Sequence, residues 1–251
     1  MKPRRFLLAG AIALAATAFP AQAQLPPGTN VSVNGARALE IDANAGDISV
    51  VPDPLVKVVQ VFARSGRSNV RVPLEISHPP ELLRIAIDGT APSLLPFAGG
   101  NGREYEVRYP PAMRLVVKEY GGNVRVGNAV APIEIYNANG NIVVGEVRSH
   151  VTALADDGNV YVAAAYGSVD LSAGVGNVDV VLGPGWSGSL VRLEAAKGNL
   201  HLTVPSGFKG RYDATTGRGT VTNPFHSVLR APLVFMLVEN GNVTISSRKG
   251  M

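Results

Sequence analysis

The sequence predicts an all-β fold: a β-solenoid, like a single-stranded β-helix, of about seven to eight two-strand repeats of 18–22 residues. Three observations lead there. A short phrase, Gly followed in most copies by Asn and then by apolar-x-apolar, returns at Gly122, Gly140, Gly158, Gly176, Gly198, Gly219 and Gly241, in steps of 18, 18, 18, 22, 21 and 22 residues. Apolar positions recur with period two on both sides of each Gly, as in a strand with one face on a core. No stretch beyond the N-terminal leader carries an apolar stripe at helical spacing, so almost no helix is expected.

Taken in order, Lys2, Arg4 and Arg5 precede an apolar run from Phe6 to about Phe19, and Ala21-Gln22-Ala23 follows. This is the pattern of a secretory signal peptide over residues 1–23, cleaved before Gln24. The run is shorter than the ~20 residues a spanning helix needs, so no transmembrane span is expected after cleavage. Its removal takes three of the 23 Lys and Arg residues and none of the 19 Asp and Glu, leaving a net charge of +1. So small a surplus gives no nucleic-acid footprint. With no Cys, disulfides, thiol chemistry and a lipid-attachment cysteine are excluded.

Residues 24–251 read as a single all-β domain, irregular over 24–111 and regular over 112–251. Gln24 to Gly28 is an extended leader. Leu39-x-Ile41 followed by Gly46-Asp47-Ile48-Ser49-Val50 is an outlying eighth copy of the phrase. Val56 to Phe62, Leu82 to Ile87 and Tyr105 to Tyr109 are strand-like, separated by prolines, and Gly89 to Gly102 is expected to be a mobile loop.

From Leu115 onward the repeat takes over. Seven and five places before each Gly stand pairs such as Leu115/Val117, Ile133/Ile135 and Val169/Leu171; two and four places after it stand Val124/Val126, Ile142/Val144 and Leu200/Leu202, with Asn223 the one polar exception. Gly, with Asn beside it, supplies the turn between two strands.

Two folds satisfy this pattern. In the alternative, an antiparallel β-meander or two-sheet sandwich, Asn139-Gly140, Asp157-Gly158 and Asn240-Gly241 form type I′ hairpin turns. The solenoid is favoured because no helices exist to cover an open sheet, whereas coiling lets each repeat bury its interior against its neighbours. The constant step of 18 also aligns Asn123, Asn141, Asn159 and Asn177 as a ladder along one corner.

The signal peptide, Leu39-x-Ile41, the Tyr109-Pro110 entry into Leu115-x-Val117, and the serial Gly-Asn-Val-x-Val phrases ending in Glu239-Asn240-Gly241-Asn242-Val243-Thr244-Ile245 together resemble the bacterial "putative adhesin" β-strand-repeat domain of unknown function. The resemblance covers most of the chain after the leader. It implies a solenoid-like fold on an exported, envelope-associated protein in the periplasm or outside the cell, and brings no catalytic or binding residues with it.

The residues themselves offer little catalytic chemistry. The outward position after each Gly reads Arg125, Val143, Tyr161, Asp179, His201, Thr222 and Thr244, either a binding stripe or ordinary solvent-facing positions. Asp170 and Asp179 sit in strands rather than turns, against a calcium roll, yet are candidate acids for a polysaccharide-active enzyme. His78, His150, His201 and His226 are too scattered for a transition-metal site. No cofactor is indicated.

The informative irregularity is where the repeat lengthens, at Leu182 to Ser187, Pro205 to Arg211 and Pro224 to Pro232. Insertions on one edge of a repeat protein often mark its binding face. That edge collects Trp186, Phe208, Lys209, Arg211, Phe225 and Arg230, a mix suited to an envelope protein or glycan partner. The competing reading is that Trp186, Phe208 and Phe225 fold back over the end of the core. The sequence thus points to a non-enzymatic, adhesion-like or scaffold protein, with an enzyme on a β-helix as the alternative.

Overall fold

The computed structural model describes residues 24–25, 29–44, 46–64, 72–87 and 104–248. The leader at 1–23 and the loop expected between Gly89 and Gly102 lie outside them. The described residues form strands and turns, arranged as two mixed eleven-stranded sheets, neither closed on itself.

Each regular repeat sends the strand before its Gly into the first sheet and the strand after it into the second. For the Gly140 repeat these are Ile133–Asn139 and Ile142–Val147. In the first sheet Ile133 stands opposite Leu115 and Val151 in parallel neighbours; in the second, Ile142 stands opposite Val124 and Val160. The register is therefore one whole repeat in both sheets. Alternation turns the apolar positions into the space between the sheets, where Leu115, Val117, Ile142, Val144, Leu171 and Val180 are completely buried. Each such side chain contributes about 1.5–3 kcal/mol of burial free energy.

The two-layer arrangement matches the two-sheet alternative, but its pairing differs from a meander. Strands flanking a corner Gly lie in different sheets, so Asn139-Gly140, Asp157-Gly158 and Asn240-Gly241 are corners between layers rather than the type I′ hairpin turns of that alternative. Gly140 adopts φ +138°, and a Cβ there would run into the carbonyl oxygen of Gly122 in the neighbouring repeat. Both backbone conformation and close stacking therefore demand glycine.

Spatial order departs from sequence order at both ends. The Gly241 repeat, Leu233–Asn240 and Val243–Ser247, inserts between the Gly198 repeat and the Gly219 repeat, whose strands Arg211–Arg218 and Val221–Thr222 become the edge. At the other end, Ala38–Ala43 and Asp47–Pro52 are flanked by the Gly122 repeat and by Leu82–Ile87 and Glu104–Tyr109. The latter pair is parallel to its neighbour, a repeat that lacks the glycine phrase. Antiparallel strands finish that end, the outermost being two and three residues long, which leaves little edge open to further pairing.

The corner asparagines form a ladder in spatial order. Asn123 donates from its backbone N–H and Nδ2 to Asp47 Oδ1, both at 2.9 Å. Asn141 does the same to Asn123, Asn159 to Asn141, Asn177 to Asn159 and Asn199 to Asn177, at 2.8–3.0 Å. Asn242 continues the ladder, and Thr220 N–H closes it on Asn242 Oδ1 at 3.0 Å. Asp47 needs only to accept and Thr220 only to donate its backbone N–H, which fits the residue types at the two ends.

Candidate functional site

The lengthened turns build a groove on the edge opposite the Asn ladder. Gly183-Pro184-Gly185-Trp186 and Pro205-Ser206-Gly207-Phe208 make equivalent turns, closed by Trp186 N–H to Gly183 O at 3.1 Å and Phe208 N–H to Pro205 O at 3.2 Å. Gly185 and Gly207 take φ +77° and +76°, so each turn ends with its aromatic residue directed back at the stack. Trp186 Nε1 donates to Gly167 O at 2.6 Å, fixing the indole. Its ring meets Phe208 edge-on at 5.5 Å; Phe208 meets Tyr212 at 6.5 Å, and Tyr212 stacks on Phe225 at 5.8 Å.

This four-ring row is half-buried and packs against the core. The Tyr212 hydroxyl is buried without a hydrogen-bond partner, and burial pushes its pKa up. The rings thus cover the end of the core, as one sequence reading anticipated, while Trp186, Phe208 and Lys209 also line a groove of about 550 Å³ with Pro184, Pro205 and Pro232. Of the other candidate residues, Phe225 joins through Tyr212, whereas Arg211 and Arg230 are exposed outside the groove lining. Tyr212 and the prolines escape a reading of the sequence, because Tyr212 occupies a periodic core position and the prolines read as turn punctuation.

The outward stripe of the second sheet runs Arg125, Val143, Tyr161, Asp179, His201, Thr244, Thr222 in space. Asp179 Oδ2 lies 3.6 Å from His201 Nδ1, and His201 Nε2 lies 3.0 Å from Ser246 Oγ. Asp179 and His201 side chains are each 42% exposed, so water competes for both partners of this pair. Asp170, the other candidate acid, is in the first sheet opposite Thr152 and Arg192. Asp170 and Asp179 therefore face solvent from opposite sheets and cannot act on one glycosidic bond as a pair.

A buried polar pair lies inside the corner. Glu119 and Asn137 are register neighbours three places before their glycines, where other repeats carry Ala155, Ala173 and Ala195. Glu119 Oε1 accepts from Gly121 N–H at 2.9 Å and Asn137 Nδ2 donates to Gly122 O at 2.8 Å, but Glu119 Oε2 and Asn137 Oδ1 have no partner. Burial first, then the charges of Asp47 and Asp42, lift the Glu119 pKa to about 7.

Among the described residues, no three His, Asp or Glu side chains converge as metal ligands, and no helix is long and apolar enough to cross a membrane.

Geometry and topology define an all-β repeat protein of two layers with an aromatic groove along one edge. No protein-family model and no curated protein matches the chain. Among solved structures, it is similar to a "putative adhesin" from Bacteroides fragilis, with TM-score 0.51 and 12% identity, covering 90% of this chain and 99% of that one. A "putative cell adhesion protein" from Clostridium sporogenes gives TM-score 0.43 at 11% identity, covering 90% of this chain and 100% of that one. A "putative adhesin" from Parabacteroides distasonis gives 0.27 at 12%, covering 90% and 98%. The Bacteroides match establishes a shared fold, so the resemblance seen in the sequence holds at the level of architecture.

Proposed function

We propose that this chain is an exported, non-enzymatic protein of the bacterial cell envelope, adhesion-like or scaffolding in role, which holds its partner at the Trp186–Phe208 edge. Residues 24–251 act as one domain after removal of the leader, and the two layers are the two sides of one β-solenoid. The one-repeat parallel register supports the coil, because each repeat crosses from the first sheet to the second and returns beside its own start. The fold shared with a protein described as a putative adhesin supports the adhesion-like role.

The observation that carries the binding edge is the groove of about 550 Å³ where rings, prolines and the exposed Lys209 meet. Aromatic faces stack on sugar C–H surfaces or on peptide side chains, and an ammonium beside them favours anionic groups. Arg211 and Arg230 flank this edge and add positive charge around it. The partner class is an envelope glycan or protein. Co-sedimentation of the leader-free chain with purified peptidoglycan sacculi and outer-membrane vesicles tests this, with Trp186→Ala as the comparison. Retention that Trp186→Ala weakens is expected. Release of soluble sugar fragments during the incubation would instead establish the alternative, a polysaccharide-active enzyme.

A further inference from the structure

The outer face of the second sheet carries a separate groove, of about 310 Å³, lined chiefly by Asn123, Arg125, Asn141, Val143, Asn159 and Tyr161. Three successive repeats each contribute a corner asparagine and the outward residue of the strand that follows. Along the ladder, each Oδ1 accepts twice, from the backbone N–H and the Nδ2 of the next repeat, as at Asn123 and Asn141. That saturates the acceptors. Each amide has two N–H donors and spends one on the ladder, so the wall presents a row of remaining donors, one per repeat at about 4.8 Å spacing.

The opposite wall has complementary features. Arg125 is exposed and makes no ion pair among the described residues, whereas Arg84, Arg108, Arg114, Arg148 and Arg192 each hold a carboxylate. Beyond it, Val143 is 37% and Tyr161 39% exposed, giving an apolar floor and an open phenol ring. Past Tyr161 the stripe turns negative at Asp179, which is engaged with His201 and bounds the groove. Donors, a free guanidinium and one aromatic ring select a ligand rich in acceptors, with a carboxylate and a flat C–H face.

We propose that this groove binds an acidic glycan, a uronic-acid oligosaccharide lying along the stack with a carboxylate on Arg125 and a sugar ring against Tyr161. Neighbouring hydroxyls and ring oxygens then accept from the Asn141 and Asn159 amides. The site is distinct from the Trp186 edge and stands or falls independently of it.

Calorimetric titration of the leader-free chain with tetragalacturonate and tetramannuronate, against neutral maltotetraose, tests the assignment. Saturable binding of at least one acidic tetramer is expected, with maltotetraose about tenfold weaker or silent. Arg125→Gln should weaken the acidic ligand about tenfold, Arg125→Lys should restore part of the loss, and Tyr161→Ser should cost severalfold. Arg218→Gln, which removes an exposed positive charge outside both grooves, should leave it unchanged. No saturable binding of either acidic tetramer overturns the proposal, as does binding that Arg125→Gln and Tyr161→Ser leave intact. A Trp186→Ala loss as large as that of Arg125→Gln also overturns it, by moving the ligand to the other edge.

Discussion

Asn242 donates from its backbone N–H and its Nδ2 to Oδ1 of Asn199, at 3.0 and 3.2 Å, across 43 residues of sequence. The repeat between them in sequence, at Gly219, is displaced to the outside. Gly241 accordingly packs on the Gly198 carbonyl, and Gly219 on that of Gly241.

This order predicts a cross-link. Thr203 stands opposite Ser246, with the two hydroxyls 3.4 Å apart. Parallel neighbours about 4.8 Å apart fall within disulfide reach, and the chain has no Cys to interfere. Thr203→Cys with Ser246→Cys should oxidise to an intramolecular disulfide, read as a mobility shift on non-reducing gels. Thr203→Cys with Pro224→Cys, the pair that strictly serial stacking would align, should stay reduced; the opposite pattern contradicts the inserted repeat.

Glu119 gives a pH dependence of unusual sign. Its folded pKa of about 7 lies above the ordinary carboxyl value of 4.5, so the folded state holds the proton more tightly than the unfolded one. The stabilisation is complete below about pH 4.5, falls as pH rises through 7, and amounts to roughly 3 kcal/mol between those limits. A proton on Oε2 removes its charge and turns this unpaired buried acceptor into a donor. Glu119→Gln, which carries that donor at every pH, should melt at a higher temperature than the parent at pH 8 and flatten this part of the profile. An equal dependence in both proteins, measured by thermal melts from pH 5 to 8, refutes the assignment.

Gly140→Val should destabilise by more than about 1 kcal/mol, because the left-handed conformation and the contact with the Gly122 carbonyl both exclude a side chain. Tyr161→Ser, on the exposed face, should cost less than about 0.5 kcal/mol. Chemical denaturation of the two variants compares them, and equal midpoints would remove Gly140 from its corner.

The periodic pattern made the core legible: the inward pairs flanking Gly122, Gly140, Gly158, Gly176, Gly198 and Gly241 are buried. The Gly219 repeat departed from it three times, with Tyr212/Ala214 before the Gly, Thr220 in place of Asn, and Asn223 after it. Each departure marks the edge, where no further repeat covers the interior and Val221 is 38% exposed. The insertion itself was not legible, because adjacent repeats present interchangeable apolar faces and any order satisfies the same alternation. The Leu82–Ile87 and Glu104–Tyr109 repeat is not legible because the position two places before Tyr105, in step with Gly46, is Arg103, and the Gly100-Asn101 pair stands three residues too early for the phrase. At the candidate edge, insertion length exposed Trp186 and Phe208, but their packing on the core depends on turn geometry that composition does not encode.

Trp186 is the sole tryptophan, so its emission reports the edge groove without background. Titrating the leader-free chain with soluble peptidoglycan fragments and outer-membrane vesicle extract should give a saturable change in Trp186 fluorescence that follows the bound fraction measured by sedimentation. Bound protein with an unaltered Trp186 spectrum, or no binding to either preparation, would contradict a partner held at this edge.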